Sequence, residues 1–107
     1  MNEPFNFKNK SFAIYGLGLT GISTFNFLKK NKVKKIFTWD DFIYKKNILK
    51  KKKFVNSLNL VDFIVISPGI NLKYSKLKKI IFKNKNKIIS DLDLFYLKNN
   101  IKKSIVL

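Results

Sequence analysis

Three short stretches of this chain have the residue types and spacing to do chemistry, and none of them is catalytic. The first is Gly16-Leu17-Gly18-Leu19-Thr20-Gly21, a G-x-G-x-x-G sequence. In such a turn the first glycine lets the chain leave a strand sharply, and the second lets backbone come close to a ligand. The third lets helix and strand pack tightly. A helix that starts there presents free N–H groups and a partial positive charge, which suits a phosphate. The second stretch is Asp40-Asp41-Phe42. It follows the glycines by about twenty residues, where a nucleotide-binding βαβ unit keeps an acid for a ribose hydroxyl. Two aspartates after a strand also make a turn or cap the next segment. Asp40 is favoured as a ligand residue, whereas the turn reading explains Asp41 equally well. The third is Ser67-Pro68-Gly69-Ile70. Its Pro-Gly pair ends a strand, and Gly69 allows backbone to approach a ligand at the carboxyl edge of the sheet.

The elements that must position these residues can be read in order. Phe12-Ala13-Ile14-Tyr15 is apolar enough for a strand, over 11–15, buried on both faces. A helix over 20–30 follows, with Ile22, Phe25 and Leu28 at helical spacing, lysines in its last turn and Asn31 at its end. Residues 33–39 form a second strand, and 42–60 read only as a loosely helical connection around the run Lys50 to Lys53. The clearest strand is 61–66, β-branched in its second half. A helix over 73–82 with Leu77, Ile80 and Ile81 inward, a short strand over 87–89 and a helix over 91–97 follow. Leu92, Phe95 and Tyr96 are the candidates for the buried face of that last helix. The expected fold class is α/β: a single Rossmann-like domain with a mainly parallel sheet flanked by helices.

Composition narrows the functions available. The 107 residues suffice for one small domain with a core. With no cysteine and no histidine, disulfides, thiolate or imidazole metal sites and His- or Cys-based catalysis are excluded. The formal charge of +17 comes from lysine alone. Specific phosphate and base recognition favours the bidentate fork of arginine, so the lysines read as a solvated surface and no specific nucleic-acid partner is expected. Met1-Asn2-Glu3-Pro4 does not begin a signal peptide, and no apolar run approaches the roughly 20 residues that span a bilayer. The expectation is a soluble, cytoplasmic protein without a membrane partner.

Gly16 to Ser23, Ser67 to Ile70, and Ile89-Ser90-Asp91-Leu92-Asp93-Leu94-Phe95, in that order and spacing, resemble the N-terminal domain of the D-glutamate-adding Mur ligases, the UDP-N-acetylmuramoyl-L-alanine:D-glutamate ligases of peptidoglycan synthesis. The resemblance covers about residues 8–107. It implies that the whole chain is a domain holding the UDP portion of UDP-N-acetylmuramoyl-L-alanine. Gly16, Gly18, Leu19, Thr20 and Gly21 would then lie near the nucleotide and its diphosphate. Asp40, Asp41 and Phe42 would flank uracil and ribose, and Ser67, Pro68 and Gly69 would close the other side. Where many members carry a small polar residue and then Arg, this chain has Asp41 and Phe42, so a ring remains for stacking on uracil but the guanidinium contact is lost. Asp93 stands where Glu is usual.

The resemblance further implies that ATP and Mg²⁺ belong to a separate ATP-binding domain, followed by a C-terminal domain. There a substrate carboxylate would be phosphorylated and the amine of D-glutamate would displace the phosphate. No G-x-x-x-x-G-K-[ST] occurs in this chain. The apolar run Ser104-Ile105-Val106-Leu107 reads as a strand cut short, so the expectation is a fragment that binds but cannot ligate. The main rival is an NAD-binding Rossmann domain of a dehydrogenase-like protein, for which the glycine turn and Asp40 would serve equally well. A lysine-rich RNA-binding or membrane-surface module rests on charge alone.

Overall fold

The first strand has a partner strand on each side. In the computed structural model, which describes residues 6–44 and 47–99, β1 (Ser11–Tyr15) pairs in parallel with β2 (Lys35–Trp39) on one side and with β3 (Phe63–Ile66) on the other. The short β4 (Ile88–Ile89) pairs with β3, giving a four-stranded parallel sheet in the order β2-β1-β3-β4. Central position explains composition: Phe12 to Tyr15 are fully buried, as a strand covered on both faces must be. Side chains alternate between two cores. Ala13 and Tyr15 join Trp39, Phe54, Leu58, Ile64, Leu77 and Ile81 on one face. Phe12 and Ile14 join Phe7, Leu28, Val33, Val65 and Leu94 on the other.

The first of these faces is covered by α2 (Ile48–Ser57) and α3 (Lys78–Lys83), the second by α1 (Leu19–Lys30) and α4 (Asp91–Asn99). The α/β, parallel, doubly covered architecture is the one expected from the order of the elements. Several details differ. The segment expected to be a loose connection holds a regular ten-residue helix, α2, started by the Asn47 side chain accepting from the Lys50 N–H. The expected helix over 73–82 is divided into a single 3-10 turn, Leu72–Tyr74, and α3, because Ser75 is extended. β2 and β3 each begin two residues later than expected.

Two helices are rotated from the expected faces. α1 buries Gly21, Thr24 and Leu28 and leaves Ile22 half exposed. Thr24 Oγ1 is buried without a hydrogen-bond partner. α4 buries Leu94, with Leu97 packed beside it, whereas Leu92 and Phe95 are about half exposed. The expected strand at 104–107 lies outside the described residues. No helix among the described residues is long and apolar enough to cross a membrane.

Candidate functional site

The three chemistry-bearing stretches meet at the carboxyl edge of the sheet, where β1, β2 and β3 end side by side. Gly16 leaves β1 with φ +98, a conformation in which a side chain is strained, and a Cβ there would lie 2.8 Å from the Ser67 Cβ. Its N–H donates to the Trp39 carbonyl (2.7 Å), and its own carbonyl accepts from Ser67 Oγ (2.9 Å). Gly21 lies in the first turn of α1, so close to this peptide that a Cβ would overlap the Gly16 carbonyl oxygen. These two glycines are therefore required by the packing of the chain on itself.

Gly18 is different. It is the N-cap of α1, at φ −74 and ψ −164, and an added Cβ would meet nothing within 4 Å. No side chain caps the helix, and no acid lies in its first turn. The partial positive charge of the helix end is thus met by no group of its own.

Asp40 stands where the spacing places it, at the end of β2, but its bonds are to backbone. Oδ2 accepts from the Leu17 N–H (2.7 Å), and Oδ1 from the Phe42 (2.9 Å) and Ile43 (3.1 Å) N–H groups. Burial pushes this carboxyl up, yet the N–H groups of Leu17, Ile43 and Phe42 together outweigh it and hold the group below its ordinary value of 3.8. The side chain ties the glycine loop to the loop after β2.

Asp41 faces inward. Its Oδ1 accepts from Trp39 Nε1 (2.7 Å) and its Oδ2 from the Tyr15 hydroxyl. Tyr15 also meets Ser75 Oγ (2.7 Å), which accepts from the Leu77 N–H (3.0 Å). Burial first, then the hydrogen bond to Asp41, pushes the Tyr15 phenol up to about 12. Sequence reasoning passed over Tyr15, Trp39 and Ser75. A signal was present: Tyr15 and Trp39 end adjacent strands in register, and two buried rings with polar tips need acceptors nearby.

Phe42 (85% exposed), in the loop after β2, and Leu19 (91%), the first residue of α1, project into solvent. Leu17, Ile22, Phe25, Thr38, Ile43 and Tyr44 line a cleft of about 300 Å³. Ile43 and Tyr44 also line a wider groove of about 600 Å³ with Asn47, Ile48 and Leu49. Ser67 is buried beneath the glycine loop, while Pro68 and Gly69 are exposed. The edge thus combines an open helix end with apolar walls, an arrangement that can take a phosphate joined to a flat ring. Asp93 follows the carboxyl end of β4 and accepts from the Ser90 N–H (2.9 Å) while its own N–H donates to Ser90 Oγ (3.1 Å), a reciprocal cap on α4. Among the described residues no group of three acids could hold a metal.

Comparison with known proteins places relatives beside this geometry. No family model matches the chain, and no solved structure matches it. Curated proteins do match. A UDP-N-acetylmuramoylalanine--D-glutamate ligase of Wolbachia pipientis wMel is 32% identical over 99 residues, covering 83% of this chain and 19% of the relative. The protein of the same name from Rickettsia prowazekii (strain Madrid E) is 36% identical over 110 residues, covering 94% and 24%. That of Buchnera aphidicola subsp. Acyrthosiphon pisum (strain Tuc7) is 38% identical over 104 residues, covering 85% and 22%. The chain spans about a fifth to a quarter of the length of the relatives it matches, and a fragment of such a ligase fits these matches.

Proposed function

We propose that this chain is the UDP-binding N-terminal domain of a UDP-N-acetylmuramoylalanine–D-glutamate ligase, and that its parent protein works in cytoplasmic peptidoglycan precursor synthesis. The observation that carries this reading is Gly18. Gly16 and Gly21 are explained by internal packing, but neither the backbone angles nor the surroundings of Gly18 demand a glycine. An approaching phosphate does, because a side chain there would stand over the N–H groups of α1. Ser, Thr or Asp at this position would cap those groups and take the place of the ligand.

In this reading the diphosphate of UDP-N-acetylmuramoyl-L-alanine lies over Gly18, Leu19 and Thr20. Uracil lies against Phe42 and the apolar cleft, and the exposed Pro68 and Gly69 form the opposite wall. Asp40 holds the two loops at the spacing the nucleotide needs. This also weakens the dinucleotide alternative, since an acid that clamps a ribose diol needs oxygens that are free to accept, and those of Asp40 already take three backbone N–H groups. No G-x-x-x-x-G-K-[ST] occurs in the sequence, and in this reading ATP, Mg²⁺ and the ligation steps belong to the remainder of the parent protein.

Calorimetric titration of the chain with UDP-N-acetylmuramoyl-L-alanine and, separately, with NAD tests the proposal. The expected result is saturable binding of the UDP compound alone. Gly18→Val should keep the fold, since space is open there, and abolish that binding. Equal affinity in a folded Gly18→Val variant, or binding of NAD alone, would overturn the reading.

A further inference from the structure

The family resemblance implies that Asp41 flanks the uracil and ribose, yet its side chain is taken up by a part-buried relay of hydrogen bonds. Tyr15 is fully buried and Trp39 is 1% exposed, and each directs its one polar hydrogen at a different oxygen of Asp41. The direction of the relay is fixed. A carboxylate has no hydrogen to give, so Tyr15 must donate to Asp41 and can only accept from Ser75. Ser75 Oγ then accepts from the Leu77 N–H. The chain of bonds therefore runs from the loop that carries Phe42 and Ile43, across the end of β1, to the segment 71–77 that continues the Ser67–Ile70 turn. It joins the loop after β2, which lines the cleft, to the segment that follows the Pro68–Gly69 wall of the proposed nucleotide pose.

We infer that Asp41 is a positioning residue, one that never meets the ligand but, through Tyr15 and Ser75, holds the 40–44 loop and the 71–77 segment as a single unit. The inference rests on the nucleotide reading for its ligand and deepens that reading. The acid here serves two aromatic donors of this chain, Tyr15 and Trp39, instead of the substrate. Apparent affinity falls in proportion to the fraction of molecules whose walls are correctly placed.

The test uses the full chain and two conservative variants, with two kinds of readout. Tyr15→Phe removes one oxygen and keeps the ring that packs on Phe54. Asp41→Asn keeps an acceptor for Trp39 and offers its amide N–H to Tyr15, which can then turn its own hydrogen to Ser75. Without ligand, amide NMR spectra are recorded, with the indole N–H of Trp39 as a single resonance because the chain has one tryptophan. Tyr15→Phe should move that resonance, the Phe42 and Ile43 amides, and the Leu77 amide together. Titration with UDP should show a loss of about tenfold for Tyr15→Phe, the size expected if about a tenth of molecules keep both walls in place. Asp41→Asn should stay within about threefold of the parent, and Asp41→Ala should lose as much as Tyr15→Phe or more.

Resonances that move on one side of Tyr15 only would overturn the inference, as would unchanged UDP affinity in Tyr15→Phe beside a parent that binds. If the parent chain takes no UDP, the proposed function falls instead. The ligand-free resonances then decide alone whether the two segments are coupled.

Discussion

Asp40→Ala is the substitution whose cost the structure sets out most fully. Three backbone N–H groups lose their acceptor at once. That of Leu17 lies in a partly buried loop, and losing a bond to an ionised acceptor there costs about 1.5–3 kcal/mol. Phe42 and Ile43 are exposed, so water replaces much of what their N–H groups lose, and we assign roughly 0.5 kcal/mol to each. The total is about 3 kcal/mol, which in a domain of this size lowers the melting temperature by on the order of 15 °C. Urea unfolding followed by Trp39 emission measures it, because the buried indole becomes exposed on unfolding. Asp40→Asn separates the two ends of the tie. Its carbonyl can serve Phe42 and Ile43, but its amide then faces the Leu17 N–H donor to donor, for a loss of about 2 kcal/mol. Acid provides an internal control. The folded carboxyl sits below its ordinary value of 3.8, so its contribution is complete above that value and disappears as pH falls through the folded value. The gap between parent and Asp40→Ala should therefore close in acid. An Ala variant within about 0.5 kcal/mol of the parent at neutral pH would refute the reasoning.

Other outcomes follow from single contacts. Gly21→Ala must push α1 off the Gly16 carbonyl and should cost more than about 3 kcal/mol or prevent folding, read by far-UV circular dichroism and urea titration. Thr24→Val replaces a buried, unbonded hydroxyl by a methyl of similar shape and should raise stability by about 1 kcal/mol; a loss would mean that Oγ1 has a partner in solution. The phenol of Tyr15 should ionise at about 12 in a spectrophotometric titration, and this component should vanish in Tyr15→Phe. Since its folded value lies above the unfolded 10.0, the stability it contributes is complete below pH 10 and fades as pH rises toward 12.

The strands were legible because burial on both faces leaves a continuous apolar signature, as in Phe12 to Tyr15 and Phe63 to Ile66. Helix faces were less so. In α4, Leu92, Phe95 and Tyr96 satisfy helical spacing as well as Leu94 and Leu97 do, and spacing alone cannot choose between two adjacent stripes. In α1 the choice is made by Gly21, whose close approach to the end of β1 turns Thr24 inward and Ile22 outward. α2 was hidden by its lysines. Its buried side is Phe54 and Ser57, while the apolar Ile48 and Leu49 are exposed. At the site, sequence located the glycine turn and the acids correctly along the chain but could not give their directions. Asp40 and Asp41 are neighbours with the same side chain, one clasping two loops and the other serving the core.

Because β1 lies at the centre of a parallel sheet, its partners reach it late in the chain's own history. On a ribosome Ser11 has no neighbour until Lys35 has emerged, and the other flank of β1 stays open until Phe63 to Ile66 follow. The bond from Ser67 Oγ to the Gly16 carbonyl, spanning 51 residues, closes last of these. Contacts so distant form only after the intervening chain has been brought round, which makes such sheets slow to assemble. The glycine loop thus acquires its shape only when the turn that locks it has been made, so nascent chains that end before Ser67 cannot present the helix end in its finished form.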